Sequence, residues 1–201
     1  MIDARLRRLI DPCLVSAGRR LAAAGLTADT VTLIGFAIGL AAAAAVAGGH
    51  YIPGLLLLMS NRLADGLDGA IARVTLKTDR GGFLDITLDF IVYAAFPLGF
   101  AYSDPATNAL AACFLLAGYL ANGSAFLAFS IMAERRGIET SRHGQKSIYY
   151  LAGLAEGGET IAFMVLACIF PEHFPLLATA FGAMCLVSAV ARLYLGWRLL
   201  A

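Results

Sequence analysis

Six long apolar runs constrain this chain more than any other feature of its sequence. A helix crosses the hydrocarbon core of a bilayer, about 30 Å thick, with roughly 20 apolar residues. Runs of about that length or longer lie at 29–49, 51–74, 81–103, 106–133, 147–170 and 174–199. Because 60% of the 201 residues are hydrophobic and only 14% are charged, the composition is also that of a membrane protein. We predict an all-α polytopic membrane protein with six transmembrane helices, forming a single domain over 1–201.

The segment before the first run, residues 1–26, mixes leucines with arginines at spacings that suit a helix lying in the headgroup layer. An ordinary positively charged flank would have the same composition. Pro12 argues against one unbroken helix here. The segment lacks the uninterrupted apolar stretch of a cleavable signal, so we expect the N-terminus to be retained.

The positions of Lys and Arg predict the orientation in the membrane. Basic residues are retained on the cytoplasmic side, and here they precede the first run, lie in the second and fourth connections and follow the sixth run. The connections near His50, Asp104 and Glu172 contain neither Lys nor Arg. Both termini are therefore predicted to be cytoplasmic. The net charge of +1 says little about partners, and no nucleic-acid partner is expected.

Four aspartates in the second and third runs are spaced to face one another. Asp65 and Asp68 share one face of the second helix, and Asp85 and Asp89 share one face of the third. A turn at 74–81 would join these helices into an antiparallel hairpin. The four carboxylates should then surround one small volume near the cytoplasmic side.

Such a group of carboxylates needs positive charge. Each ionised carboxylate at a helix centre costs at least about 2.5 kcal/mol on insertion scales, and neighbours repel one another. Divalent cations with oxygen ligands would neutralise the group. Two Mg²⁺ or Mn²⁺ ions roughly 3.5 to 4 Å apart would suit phosphoryl chemistry. Polar contacts between helices are the structural alternative, although the small residues Gly69 and Ala72 between the acids weigh against it.

The spacing of these residues resembles a known signature. It runs Asp65-x-x-Asp68-Gly69-x-x-Ala72-Arg73, then seven residues, then Gly81-x-x-x-Asp85-x-x-x-Asp89. This resembles the motif of the CDP-alcohol phosphotransferases, also called CDP-alcohol phosphatidyltransferases, which are integral membrane enzymes of phospholipid synthesis. Every fixed position is matched. The six runs and the preceding interfacial segment are similar to the family's architecture over essentially the whole chain, and the likeness is greatest to a bacterial inner-membrane subgroup.

The resemblance implies roles for the acidic positions. Asp65, Asp68 and Asp85 would ligate the metal ions, and Asp65 would also lie at the nucleotide. Asp89 would ligate metal and, as the catalytic residue, take the proton from the acceptor hydroxyl.

It also implies a nucleotide site. Gly69 and Ala72 would leave room for the cytidine, Arg73 would engage phosphate oxygens, and Thr32 in the stretch TADTVTLIG would lie near the phosphates. Asp29, where the family more often has Asn, is interpreted as a helix N-cap.

The reaction implied is attack of a small alcohol on the β-phosphorus of CDP-diacylglycerol, with release of CMP. The resemblance further implies a homodimer in the cell inner membrane with its active site facing the cytoplasm. Two alternatives stay open. One is transfer from a CDP-linked small alcohol to a diacylglycerol-type lipid, which uses the same motif. The other is a membrane protein without enzymatic activity that binds metal or lipid, or transports ions.

Four further polar residues are candidates for binding the acceptor. They are Arg142, Lys146, Glu156 and Glu159. The stretch GQKS, which contains Lys146, weakly resembles the basic entry that holds phosphate-bearing acceptors in the family. Positive-inside flanking charge explains Arg142 at least as well, and Lys146 is the better candidate because it lies closest to the span. Buried acids in a span are functional candidates by default, so the two glutamates could select a polyol or an amine. Alternatively, they pair with Arg62 or Arg192.

Overall fold

The structure, a computed structural model, describes residues 2–137 and 153–200, with side chains from residue 12 onward. Seven α-helices make up most of these residues, which confirms the all-α prediction. They are α1 (Ile2–Ala23), α2 (Ala28–Ala47), α3 (Tyr51–Val74), α4 (Asp79–Ser103), α5 (Pro105–Arg135), α6 (Gly157–Ile169) and α7 (Phe174–Leu199), with a short 3₁₀ helix at Pro171–His173.

Four segments of the described chain are long and apolar enough to cross a membrane. They are α2, α4, α5 and Pro171–Leu199, which includes α7. Helix α3 has 24 residues, but four of them are charged, namely Arg62, Asp65, Asp68 and Arg73, and α6 is a shorter apolar helix. Large apolar side chains such as Leu110 and Trp197 are exposed, as lipid-facing residues would be. The protein is therefore a multi-pass membrane protein.

The chain divides by its contacts into two compact units, Met1–Ser103 and Asp104–Ala201. In the first unit, α2 packs against both α3 and α4, and α1 packs against α3. Glycines permit these close approaches: a Cβ atom on Gly39 would lie 2.7 Å from Val92, and one on Gly99 would lie 2.6 Å from the carbonyl oxygen of Ala43. The second and third predicted runs are thereby held beside the first.

Helix α1 differs from its sequence-based prediction. It runs without interruption from Ile2 to Ala23 with Pro12 inside it, so the expected break is wrong. A proline removes one backbone hydrogen bond but keeps φ near the helical value. Packing against α3 supports the helix beyond it, since a Cβ atom on Gly18 would lie 3.0 Å from Ala70. The helix ends at Ala23, and Gly25 just beyond it has a φ of +87°, the left-handed conformation that glycine adopts after helix ends.

In the second unit, α5 packs along α7, and α6 also contacts α7. The aromatic rings of Phe163 and Phe181 stack with centroids 5.2 Å apart. A Cβ atom on Gly118 would lie 2.8 Å from the carbonyl oxygen of Gly182. The predicted fifth run is shorter as a helix than expected, because 153–156 are not helical and α6 begins at Gly157. Residues 147–152 of that run lie outside the described residues.

Candidate active site

Three of the four aspartates form a tight cluster. Asp65 and Asp68 project from α3, Asp85 projects from α4, and one carboxylate oxygen of each lies within 4.8 Å of the others. Asp68 is buried. Oxygen ligands brought this close repel one another unless a cation lies among them, and hard divalent cations prefer such ligands. The residues present therefore fit a metal ion, and the predicted meeting of the two acidic faces is confirmed.

All four aspartates line one small cavity of about 10 Å³. The wall of this cavity also includes Thr32 and Asn61. A volume of this order is about that of a single water molecule. The fourth carboxylate, Asp89, thus reaches the same space as the cluster even though it is not part of it.

Thr32 connects α2 to the cluster. Its hydroxyl lies 2.6 Å from Oδ2 of Asp68 and 3.0 Å from the carbonyl oxygen of Ala28, one turn earlier in its own helix. A hydroxyl that donates to a carboxylate fixes the direction of the remaining oxygen lone pairs. Thr32 was expected near the nucleotide phosphates, and the structure gives it a carboxylate partner that sequence reasoning had not assigned.

Asp89 is held by an arginine and a tyrosine. Nη2 of Arg62 lies 2.7 Å from Oδ1 of Asp89, and Nη1 lies 3.3 Å from Oδ2. The hydroxyl of Tyr93 lies 3.2 Å from Oδ2 as well. Both partners were missed as site residues, although two signals were present in the sequence. An arginine within a span marks a functional position by default, and Tyr93 follows Asp89 by one helical turn on the same face.

A larger pocket of about 900 Å³ opens beside the cluster. A pocket of this size suits a nucleotide-sized ligand. It is lined by the residues that the family resemblance implies for nucleotide binding, namely Thr32, Asp65, Gly69, Ala72 and Arg73, and by two further basic residues, Lys77 and Arg80. A Cβ atom added to Gly69 would have only Nη1 of Arg73 within 4 Å, at 3.6 Å. The surface of α3 at Gly69 is open to a ligand, and three basic side chains lie in the lining of the pocket.

Comparison with known proteins decides the family. Residues 25–191 match the sequence profile described as CDP-alcohol phosphatidyltransferase. The chain belongs to this family. It is a CDP-alcohol phosphatidyltransferase family enzyme, as the aspartate motif predicts, and neither the ion-transport nor the purely lipid-binding alternative stands.

Relatives along most of the chain agree with this assignment. The enzyme is 46% identical over 197 residues to inner membrane protein YnjF of Escherichia coli (strain K12), covering 98% of this chain and 96% of that protein. It is 30% identical over 167 residues to archaetidylinositol phosphate synthase of Pyrococcus horikoshii, covering 83% and 81%.

Solved structures share the fold. Phosphatidylinositol phosphate synthase of Mycobacterium tuberculosis, solved with CDP-DAG bound, superposes with a TM-score of 0.67 at 21% identity, over 92% of this chain and 93% of that one. A second structure of that protein is in complex with manganese and citrate. The aspartate cluster of this enzyme has the ligand chemistry that such a divalent ion requires.

Asp29 does not have the predicted role. The N-cap of α2 is Thr27, whose side chain accepts a hydrogen bond from the backbone N–H of Thr30. Asp29 lies in the first turn, where a carboxylate is favoured by the helix dipole. It forms an ion pair with Arg80, near the start of α4. The interpretation as an N-cap is therefore wrong by two residues.

The structure describes two of the four candidate acceptor residues, Glu156 and Glu159. Glu156 is exposed at the N-cap of α6, and its backbone N–H donates to Oε2 of Glu159 at 3.3 Å, as in a capping box. Glu156 is exposed and not buried as expected, because the helix begins after it, and Glu159 is half-buried in the first turn. Glu156 lies 4.0 Å from Arg192, which confirms one of the predicted pairings. Arg142 and Lys146 lie outside the described residues.

Proposed function

We propose that this enzyme transfers the phosphatidyl group of CDP-diacylglycerol to a small alcohol and releases CMP. One observation carries the proposal: three aspartates on two helices converge beside a pocket that is large enough for a nucleotide and includes three basic side chains in its lining. Family membership supports the CDP-linked donor. The relative from M. tuberculosis, which shares the fold, was solved with CDP-DAG bound.

In this proposal, each group in the pocket recognises one part of the donor. Gly69 and Ala72 leave the surface of α3 open for the cytidine, and Arg73 meets phosphate oxygens. A planar guanidinium suits phosphate because it donates two parallel hydrogen bonds. Thr32 keeps Asp68 oriented through its hydroxyl. The acyl chains remain on the lipid side of the enzyme.

Asp65, Asp68 and Asp85 would hold the divalent ion. When bound, it supplies positive charge to the phosphate oxygens as charge develops on them. We further propose two ions, Mg²⁺ or Mn²⁺, and the expectation that Asp89 is also a ligand stays a prediction.

Asp89 is the proposed proton acceptor. An alcohol at neutral pH is a weak nucleophile, and a carboxylate within hydrogen-bond reach removes its proton as it attacks. The hydroxyl oxygen bonds to the β-phosphorus, the bond from that phosphorus to the bridging oxygen breaks, and CMP leaves with the electron pair. The hydroxyl proton ends on Asp89.

The first acceptor class to test is a phosphorylated polyol. Two similar proteins carry names that specify inositol phosphate products. Arg142 and Lys146 stay candidate phosphate contacts, and both glutamates stay candidates for acceptor selection.

We place the enzyme in the cell inner membrane, because the relative from E. coli is an inner membrane protein. Six crossings would result if α3 and the run containing α6 also span the bilayer. Both termini and the active site would then face the cytoplasm. A single membrane domain over 1–201, with an interfacial segment at 1–26, and assembly into a homodimer complete the proposal.

The test is CMP release by the purified enzyme with CDP-diacylglycerol and Mg²⁺. The acceptors are inositol phosphate, glycerol 3-phosphate, inositol, serine, glycerol and ethanolamine, with EDTA and Asp89→Asn as controls. The proposal expects one acceptor to give metal-dependent CMP release and Asp89→Asn to abolish it. Silence with all of them, together with turnover of a CDP-linked alcohol and diacylglycerol, would establish the reverse arrangement instead. Normal turnover by Asp89→Asn would contradict the assignment of the base.

A further inference from the structure

An ion pair joins the starts of two helices in the lining of the larger pocket. Asp29, in the first turn of α2, accepts a hydrogen bond from Nη2 of Arg80, the second residue of α4. Both side chains line the pocket of about 900 Å³, together with Arg73 and Lys77. The pair therefore neutralises a carboxylate in a pocket to which the proposed donor brings two phosphates.

The two partners differ in exposure. The side chain of Asp29 is 20% exposed, whereas that of Arg80 is 79% exposed. Within the described part of the chain, Asp29 is the one residue to which Arg80 donates a hydrogen bond, and the contact uses a single guanidinium nitrogen. An exposed ion pair adds little stability, because water screens it and both side chains lose freedom. Arg80 can therefore leave Asp29 at small cost.

Asp29 keeps favourable surroundings when Arg80 leaves. It lies in the first turn of α2, where the positive end of the helix dipole favours a carboxylate. The start of α4 is also close, because a Cβ atom on Gly81 would lie 3.2 Å from Oδ1 of Asp29. The backbone N–H of Gly81 donates to the hydroxyl of Thr78 at 3.0 Å, as at a helix N-cap. Two helix N-termini therefore lie near Asp29, and neither depends on the guanidinium.

A phosphate would be a better partner for Arg80 than Asp29 is in this geometry. A guanidinium binds a phosphate through two parallel N–H···O hydrogen bonds, whereas Asp29 accepts from Nη2 alone. The pyrophosphate of a CDP-linked donor offers several such oxygens. Arg73 and Lys77 in the same lining raise the positive potential of the pocket, and an anionic donor is therefore attracted to it.

We propose that Arg80 changes partner when the donor binds: it leaves Asp29 and binds phosphate oxygens of the CDP-linked lipid. The proposal rests on the proposed function for the identity of the donor. In the empty pocket, Asp29 holds Arg80 at the pocket wall. Every donor molecule must then displace Asp29 from the guanidinium, so the carboxylate lowers donor affinity. Asp29 recovers Arg80 when the nucleotide departs.

The test measures binding of CDP to the purified enzyme in Mg²⁺ by isothermal titration calorimetry. Asp29→Asn removes the competing charge and keeps the shape of the side chain, so CDP should bind about fivefold more tightly, the scale of one exposed ion pair. Arg80→Gln removes the phosphate contact and leaves Asp29 without its cation, so CDP should bind about tenfold more weakly. The double variant should lie between Arg80→Gln and the wild type, because it lacks both the contact and the competing carboxylate.

Two control variants test for an effect of total charge. Asp79→Asn removes an exposed carboxylate from the first turn of α4, and Arg20→Gln removes an exposed guanidinium from α1. Neither residue belongs to the pocket lining in the described chain. Both variants should bind CDP within about twofold of the wild type, because water and salt screen exposed charges that lie outside the pocket.

The order of the affinities distinguishes partner exchange from a purely structural link between α2 and α4. If the pair only held the helices together, Asp29→Asn and Arg80→Gln would weaken CDP binding equally, because each breaks the same contact. That result, or CDP binding in Asp29→Asn that is unchanged or weaker, would overturn the proposal. Equal tightening in Asp79→Asn would overturn it too, since total charge would then explain the gain.

Arg80→Lys gives a second readout that does not depend on a variant of Asp29. Lysine keeps the charge that pairs with the carboxylate but lacks the planar fork, so CDP should bind a few-fold more weakly. Wild-type affinity in Arg80→Lys would contradict the phosphate contact.

The titrations also separate this proposal from the proposed function. The expected order of CDP affinities, without CMP release from CDP-diacylglycerol, would support the exchange and count against the reaction. CMP release with the contrary order would overturn the exchange alone. Failure of CDP to bind the wild-type enzyme would overturn the exchange as well.

Discussion

The two compact units of this enzyme both place acidic side chains on apolar helices, but the acids do different things. In the first unit, Asp65, Asp68 and Asp85 come within 4.8 Å of one another and open onto a pocket. In the second unit, Glu156 and Glu159 lie at the start of α6, where they form a capping box. One arrangement concentrates charge that a cation must balance, and the other satisfies backbone groups.

The difference shows that an acid in a hydrophobic run is informative only with its neighbours. A pair of glutamates one turn apart is also the pattern of a capping box, and one cation at 4.0 Å accompanies it here. The aspartates of the first unit recur on two helices and bring a hydroxyl with them, since Thr32 contacts Asp68. Acidic side chains that come together from separate helices therefore indicate a functional site.

The largest effect should come from the cluster itself. Asp85→Asn removes one anionic ligand, and turnover should fall by roughly 1,000-fold, as when an electrostatic contact to the transition state is lost. The measurement is CMP release at saturating Mg²⁺. Glu172→Gln, an exposed acid next to His173, is the matched control and should turn over normally. Retention of activity in Asp85→Asn would break the contrast between the two units.

Both units should depend on glycines at close helix contacts for their stability. Gly99→Ala and Gly118→Ala would each place Cβ less than 3 Å from a backbone carbonyl oxygen, so both should lower the free energy of unfolding by about 2 kcal/mol. Gly69→Ala meets only the end of Arg73. It should leave thermal stability intact and raise KM for CDP-diacylglycerol instead. A destabilised Gly69→Ala would mean that this face packs against protein and does not receive a nucleotide.

Thr32→Val should weaken the metal site without removing a ligand. Loss of the hydroxyl frees Asp68, and Mn²⁺ affinity should fall by about tenfold, as for other groups that orient metal ligands. Thr179→Val is the control, because its hydroxyl donates to the carbonyl oxygen of Pro175 in its own helix. Equal Mn²⁺ affinities in the two variants would remove Thr32 from the site.

The smallest effect should come from the second unit. Glu159→Gln weakens the cap of α6, and the free energy of unfolding should fall by about 1 kcal/mol or less. Thermal melting of the purified enzyme and acceptor KM are measured together. An order-of-magnitude rise in acceptor KM with unchanged melting would give the glutamates the role in acceptor binding that their positions in the sequence suggest, and the two units would then share the chemistry.

The helices and the cluster were predictable because their signals are periodic. The runs at 51–74 and 174–199 match α3 and α7 as observed. The spacing of Asp65, Asp68 and Asp85 predicted helix faces that meet, because the position of a residue in a helix determines the direction in which its side chain points. The resemblance of this spacing to a known signature indicated the family, which the profile match over residues 25–191 then confirmed.

The misses have a common physical origin. Arg62 lies one turn before Asp65 and was considered only as a partner for the glutamates, because spacing within one helix does not specify which side chain of another helix it meets. The cap at Thr27 and the start of α6 at Gly157 depend on local backbone hydrogen bonds. Several neighbouring residues in the sequence could form the same hydrogen bonds. The start of α6 was therefore predicted too early, and Asp29 was wrongly predicted to be the N-cap of α2.

Mn²⁺ titration of the purified enzyme, followed by electron paramagnetic resonance, tests the central claim most directly. The variants are Asp68→Asn in the first unit and Glu159→Gln in the second. We predict saturable, EDTA-reversible binding in the wild type and in Glu159→Gln, and its loss in Asp68→Asn. Binding that survives in Asp68→Asn at wild-type affinity would contradict the assignment of the metal site to the aspartate cluster.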